Sequence, residues 1–218
     1  MEDSYKHKGL RKQLMLLLKE KGISDKNILK AIETVPRHLF LDNAFVEFAY
    51  QDKAFPIGEG QTISQPYTVA FQTELLDIKK GDKVLEVGTG SGYQTSVLLE
   101  IGAKVFTIER QKALYDRTSR LLPQLGYQPK FFYGDGFKGQ PSFAPYDKII
   151  VTAGAPIIPP DLITQLKPGG IMVIPVGGEN DAYIMKRLVK DQESNIKLVS
   201  YGDFRFVPLL EEKEWGKP

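Results

Sequence analysis

The run Val84-Leu85-Glu86-Val87-Gly88-Thr89-Gly90-Ser91-Gly92-Tyr93 joins an apolar, strand-like stretch to a turn with glycine at alternate positions. Glycine at such a bend lets the backbone approach a ligand closely, and a helix starting there aims free N–H groups at it. The spacing is not the G-x-G-x-x-G of dinucleotide folds: the third glycine comes one residue early, and Tyr93 fills its slot. Glu109 closes the apolar run Lys104–Glu109. It lies about 20 residues past Gly88, the offset of an acid that grips ribose hydroxyls. Asp135, within Gly134-Asp135-Gly136, follows a third apolar run, and Thr152 follows a fourth. Carboxylates and a glycine turn gathered at strand ends suit the holding of a nucleoside.

Elements must exist to position these groups. Strands are expected at 84–87, 104–109, 130–133, 146–152 and 171–176, the last introduced by Lys167-Pro168-Gly169-Gly170. Between them, helices are expected over 94–100 with Gly102 as stop, 111–125 with Leu114, Leu121, Leu122 and Leu125 inward, and 160–166. This alternation implies an α/β fold: a doubly wound, mostly parallel, Rossmann-like sheet covered on both faces, with ligands beyond the carboxyl ends of its strands. Upstream, Leu10, Leu14, Leu17 and Leu18 mark one helix stopped by Gly22, and Ser24 is a candidate N-cap for a second, which Pro36 ends. Residues 55–65 keep no period and read as an ordered loop, and 66–76 as a helix. Beyond Gly178 the pattern becomes a hairpin of 183–190 and 195–201, with Phe204–Leu209 as a further antiparallel strand and Glu211-Glu212-Lys213-Glu214 as a solvated end. The whole reads as one domain: a helical cap over 1–55, a substrate and cofactor loop and helix over 56–80, a nucleoside-binding α/β core over 81–178, and antiparallel strands with a tail over 179–218.

The glycine run, Ile108-Glu109 and Gly134-Asp135-Gly136 resemble the nucleoside-binding motifs of class I S-adenosylmethionine-dependent methyltransferases. Gln61-Thr62-Ile63-Ser64-Gln65-Pro66-Tyr67 narrows this, being similar to the signature of the protein-L-isoaspartate O-methyltransferases. Val35-Pro36-Arg37-His38-Leu39-Phe40, Tyr50 with Asp52, Ile57-Gly58 and Phe206-Val207-Pro208-Leu209 match in the family's order, so the likeness spans roughly Val35 to Leu209. The resemblance implies methylation of the free carboxylate of isoaspartyl residues in damaged proteins, with S-adenosyl-L-methionine as donor and S-adenosyl-L-homocysteine as product. It implies cofactor contacts at Thr62, Ile63, Ser64, Glu86, Gly88, Thr89, Gly90, Gly92, Glu109, Asp135, Gly136 and Thr152. It implies substrate contacts at Arg37, Ile57, Gln61 and Val69, with Val35–Phe40 and Ile57–Ser64 as walls. The segment Val207-Pro208-Leu209-Leu210 is expected to close over the cofactor, with Leu210 where some relatives carry a hydroxyl.

A chain of 218 residues suits one domain and can bury roughly 70% of its unfolded surface. A net charge of +2 marks no polyanion binder, and the absence of cysteine removes disulfides, thiolate catalysis and Cys-ligated metals. No apolar run reaches the length of a membrane span, and the N-terminal one is too short for a signal sequence. The expectation is a cytoplasmic monomer that works on isoaspartyl peptides and proteins, without nucleic acid or membrane partners.

Methyl transfer from a sulfonium to a carboxylate asks little of side chains. The acceptor, with a pKa of about 3.5, is already ionised and the donor already activated, so neither general base nor metal is required. His7 and His38 are then expected to be structural or exposed. What remains is to hold oxygen, carbon and sulfur in line, in a poorly hydrated site. Opposite charges annihilate in the reaction, so a cationic donor would over-stabilise the ground state and a neutral hydroxyl suits better. The resemblance puts Ser64 at the family's catalytic serine; as Ser-x-Pro it also reads as an N-cap for the helix at Pro66. A small-molecule O-methyltransferase leaves the Thr62–Tyr67 segment unexplained, and a non-catalytic S-adenosylmethionine-binding module leaves Ser64 without a role. Thr152-Ala153-Gly154-Ala155-Pro156 lacks the Asp/Asn-Pro-Pro-aromatic sequence that resembles amino-group methyltransferases.

Overall fold

The computed structural model describes residues 3–179 and 182–211. Helices α1 (Tyr5–Glu20) and α2 (Lys26–Thr34) are followed by two 3-10 turns, Arg37–Phe40 and Asn43–Phe48. Strands β1 (Phe55–Gly58) and β2 (Gln61–Ile63) and helix α3 (Pro66–Leu76) come next. The core then runs β3 (Lys83–Val87), α4 (Tyr93–Ile101), β4 (Lys104–Glu109), α5 (Lys112–Gln124), β5 (Lys130–Tyr133), β6 (Tyr146–Val151), α6 (Pro160–Gln165) and β7 (Leu166–Glu179). Strands β8 (Ala182–Lys190) and β9 (Ile196–Arg205) close the chain's regular structure.

Seven strands form one sheet in the order β5-β4-β3-β6-β7-β8-β9. Neighbours from β5 to β7 run parallel, and β8 and β9 are antiparallel. The expected α/β architecture is present. Successive side chains of a strand point to opposite faces, so Leu85 and Val87 join a core with Ile108, Ile149 and Leu162, while Val84 joins Leu98, Val105 and Ile150 in another. Burial on both faces explains why these strands read as continuous apolar runs. The order reverses between β3 and β6, because β4 and β5 build outward on one side and β7 on the other. At such a switch point the loops leaving the two strands diverge and open a crevice. Gly88 leaves β3 and Thr152 leaves β6 at that place.

Several expectations change. Asp25, not Ser24, caps α2: its carboxylate accepts from the N–H groups of Asn27 (2.7 Å) and Ile28 (3.3 Å). Ser24 is drawn away by Glu74, which accepts from its backbone N–H (2.8 Å) and hydroxyl (3.1 Å). The loop expected at 55–65 is the β1–β2 hairpin, whose strands are too short to show alternation. Gly58, Glu59 and Gly60 turn it at positive φ. Leu166 starts β7 instead of ending α6, and Lys167–Gly170 is an irregularity within that strand. Phe204–Leu209 is not a separate strand. Phe204 and Arg205 extend β9, and Pro208 forms an isolated parallel bridge with Gly154. Of the charged end, residues 212–214 lie outside the described residues.

Candidate active site

The turn after β3 is pinned from three directions. Gly88 (φ +98°) and Gly90 (φ +52°) hold left-handed backbone. A Cβ on Gly88 would stand 2.4 Å from the Thr152 hydroxyl oxygen. That hydroxyl donates to the carbonyls of Gly88 (2.7 Å) and Val87 (3.0 Å), and the Thr118 hydroxyl donates to the Gly90 carbonyl at 2.7 Å. Glu109 accepts the Gly90 N–H on one oxygen and the Gln111 N–H on the other, both at 2.8 Å. Burial raises its pKa and those N–H groups oppose the rise. The Arg110 N–H is a third backbone donor to the same carboxylate. Gly92 serves packing: a Cβ there would lie 2.7 Å from Thr118 Cγ2 on α5.

Glu86 stands beneath the turn and is fully buried. The Thr95 hydroxyl donates to it at 2.5 Å, and Thr107, beside it, shares a 2.6 Å hydrogen bond with Thr89 of the turn. Burial pushes the Glu86 pKa up to about 8, so its neutral form dominates at pH 7.

Among the described residues, three adjoining recesses open at this edge. The first is lined by Gly88, Gly90, Glu109, Gly136 and the strap Val207–Leu210, with Gln61, Ile108, Arg110 and Gln111 around them. The strap is held by Gly154, whose N–H donates to the Val207 carbonyl (2.8 Å) and whose carbonyl accepts from Leu209 (2.7 Å). The second, narrower recess lies between Gly88–Ser91, Tyr93 and Gln94 on one side and Ile63, Ser64 and Val69 on the other. The third, of about 570 Å³, runs from Ser64, Gln65, Tyr67, Thr68 and Phe71 to Gly202–Val207. Thr62 and Thr152 line all three, and Ser64 stands where the second meets the third.

Ser64 is not a helix cap: Gln65 holds that position, without a side-chain bond. Its carbonyl accepts from Arg37 Nη2 at 2.8 Å. Arg37 itself is fully buried, over the Tyr93 ring at 4.8 Å, and also donates to the carbonyls of Ala49 (3.0 Å) and Lys53 (3.3 Å). Burial lowers its pKa to about 10. The Val35–Phe40 segment expected as a wall is therefore a buried brace behind Ser64. His38 is buried with it, hydrogen-bonded to the Tyr50 hydroxyl at 2.6 Å and stacked on His7.

The structure brings Thr62, Ile63, Ser64, Gly88, Thr89, Gly90, Glu109, Gly136 and Thr152 onto the recess walls, with Gln61 and Val69. Glu86, Gly92, Arg37 and Ile57 are buried and, like the partly exposed Asp135, do not line them. Asp135 accepts the Phe137 N–H at 2.9 Å, and a Cβ on the neighbouring Gly136 would meet Val87 Cγ1 at 2.4 Å. The wall from Gly202 to Phe206, with Tyr67, Thr68 and Phe71, escaped the sequence reading. The helical spacing of Tyr67, Thr68 and Phe71 within α3 was its one local signal.

Residues 9–214 match the family model described as protein-L-isoaspartate(D-aspartate) O-methyltransferase. A protein-L-isoaspartate O-methyltransferase of Flavobacterium psychrophilum is 60% identical over 214 residues, 98% of this chain and 100% of that protein. A solved protein-L-isoaspartate O-methyltransferase superposes with a TM-score of 0.82 at 30% identity, covering 91% of this chain and 65% of that one. A Plasmodium falciparum structure in complex with S-adenosyl-L-homocysteine shares the fold, with a TM-score of 0.79 at 24% identity over 94% of this chain and 98% of that one.

Proposed function

The chain belongs to the protein-L-isoaspartate(D-aspartate) O-methyltransferase family, and from that premise we propose how its three recesses divide the family's reaction. The protein is an S-adenosylmethionine-dependent carboxyl methyltransferase that esterifies the free carboxylate of L-isoaspartyl residues in damaged proteins, the step that opens their repair. S-adenosyl-L-methionine supplies a methyl group already activated on a sulfonium.

The first recess takes the nucleoside. Glu109, at the wall of this recess, accepts from the ribose hydroxyls, and Gly136 offers a wall without a side chain to the base. Glu86 acts from below as a neutral prop of the turn, and Asp135 shapes the Gly136 loop through the Phe137 N–H. The second recess takes the methionine arm, between the turn and Ile63-Ser64. The third takes the isoaspartyl peptide. Ser64 directs its hydroxyl at the carboxylate, and Arg37 fixes the Ser64 backbone without bringing its own charge to the reacting oxygen. Excluding water there matters because the attacking carboxylate loses its charge in the transition state.

One observation carries this reading: Thr62 and Thr152 border all three recesses and Ser64 joins the last two, so donor and acceptor meet there. We propose a single-domain monomer without nucleic-acid or membrane partners; the net charge of +2 offers no excess of cations to a polyanion. We place it in the cytoplasm because the reaction consumes an intracellular nucleoside. Among the described residues, no helix is long and apolar enough to cross a membrane.

Transfer of labelled methyl to an isoaspartyl peptide, with its aspartyl isomer as control, tests the reading. The expected result is a base-labile ester on the isoaspartyl peptide alone. Equal labelling of both peptides, or of neither, overturns it.

A further inference from the structure

The third recess, at about 570 Å³, falls within the roughly 300–1,000 Å³ that encloses a whole drug-sized ligand, and so holds more than an isoaspartyl group. Its far wall is aromatic. Tyr67 and Phe71 from α3 and Phe204 from β9 stack with ring centroids 5.7, 5.2 and 6.4 Å apart and interplanar angles of 25°, 22° and 11°. All three rings are half-buried and border the recess. Tyr67 is held in place by its N–H, which donates to Asp52 at 2.8 Å, and Tyr201 meets Phe71 edge-on at 5.8 Å. The polar groups Gln65, Thr68, Asp203 and Arg205 ring this surface.

Resting on the reading of this recess as the acceptor site, we propose that Tyr67, Phe71 and Phe204 form a subsite for a large apolar or aromatic substrate side chain within two residues of the isoaspartate. The spacing sets that distance. Ser64, Tyr67 and Phe71 line the same recess, and Phe71 follows Tyr67 by one turn of α3, about 6 Å along its axis. An extended peptide advances about 3.3 Å per residue, so a neighbour one or two positions away reaches the rings. Half-exposed aromatic faces lose water when an apolar group covers them, and stacked or edge-on rings add specific attraction. Selection among damaged sites would then come from the neighbour, while Ser64 handles the carboxylate common to all of them.

The experiment is a set of isoaspartyl peptides in a glycine–alanine background, with one phenylalanine placed one or two positions to either side. At one or more positions, kcat/KM is expected to exceed that of the parent roughly 5- to 20-fold, with leucine giving part of the gain. The ratio should fall below about twofold in Phe204→Ala and to an intermediate value in Phe204→Leu, which preserves most of the packing volume. Calorimetric binding of S-adenosyl-L-homocysteine confirms that each variant is folded. Phenylalanine peptides all within twofold of a methylated parent in the wild type overturn the subsite, as does a gain that survives in folded Phe204→Ala. Methylation of no isoaspartyl peptide overturns the acceptor reading itself, and the subsite with it.

Discussion

The two sides of the site are built differently. On the proposed division, the donor side is a short contiguous turn held from below: Glu109, Thr152 and Thr118 tie down Gly88–Gly90, and fully buried Glu86 and Thr107 prop it. The acceptor side joins segments more than 130 residues apart, residues 54–71 and 202–207, across a wide recess. Binding a fixed small molecule rewards a preformed cradle, because little ordering remains to be done. Accepting many damaged proteins suits a broader surface in which one hydroxyl handles the common carboxylate.

If that division holds, lesions on the donor side should act on cofactor affinity and lesions on the acceptor side on turnover. The largest effect is expected from Gly88→Ala. The new Cβ meets the Thr152 hydroxyl at 2.4 Å and the backbone must keep φ +98°. Strain and the displaced hydroxyl together should cost about 3 kcal/mol, so calorimetry should find S-adenosyl-L-homocysteine bound at least about 100-fold more weakly. Tight binding by this variant would mean that the turn is not the cradle. Next comes Ser64→Ala, expected to lower kcat/KM by about 10- to 100-fold, the loss of one polar contact, with a much smaller change in cofactor affinity. An unchanged rate constant removes Ser64 from the mechanism, and a parallel loss of cofactor binding erases the division between the sides.

The smallest effect concerns Glu86, whose folded pKa of about 8 lies above its unfolded value. The native state therefore keeps a proton that the unfolded chain has lost. Its stabilising contribution is complete below the unfolded pKa and is lost as pH rises through about 8. Relative to Glu86→Gln, the wild type should lose on the order of 1 kcal/mol between pH 7 and 9, read from urea unfolding at each pH. Parallel curves for the two proteins would show that Glu86 is ionised in the fold.

Much of the donor side was legible because its determinants are local. Left-handed glycines, a capless helix start at Tyr93 and a carboxylate at the end of β4 each leave a mark within a few residues. The β1–β2 hairpin left none, since strands of four and three residues are shorter than the window that reveals a period. Ser24 read as the cap of α2, but Glu74, about 50 residues away, engages it and leaves the role to Asp25. Arg37 read as a substrate contact on the resemblance alone, and nothing in its neighbours marks an arginine that is to be fully buried. The carbonyls that bury it come from positions 49, 53 and 64.

By itself the sequence determined the parallel α/β core, the glycine turn and the acid at the end of β4, because periodicity and backbone freedom act over neighbouring residues. Only the tertiary structure decided that Glu86 is a sealed neutral prop, that Arg37 braces Ser64 from behind, and that β9 supplies the far wall of the acceptor recess. Burial and contact are properties of the packed chain: desolvation, proton affinity and the shape of a cleft arise only when distant segments exclude water together.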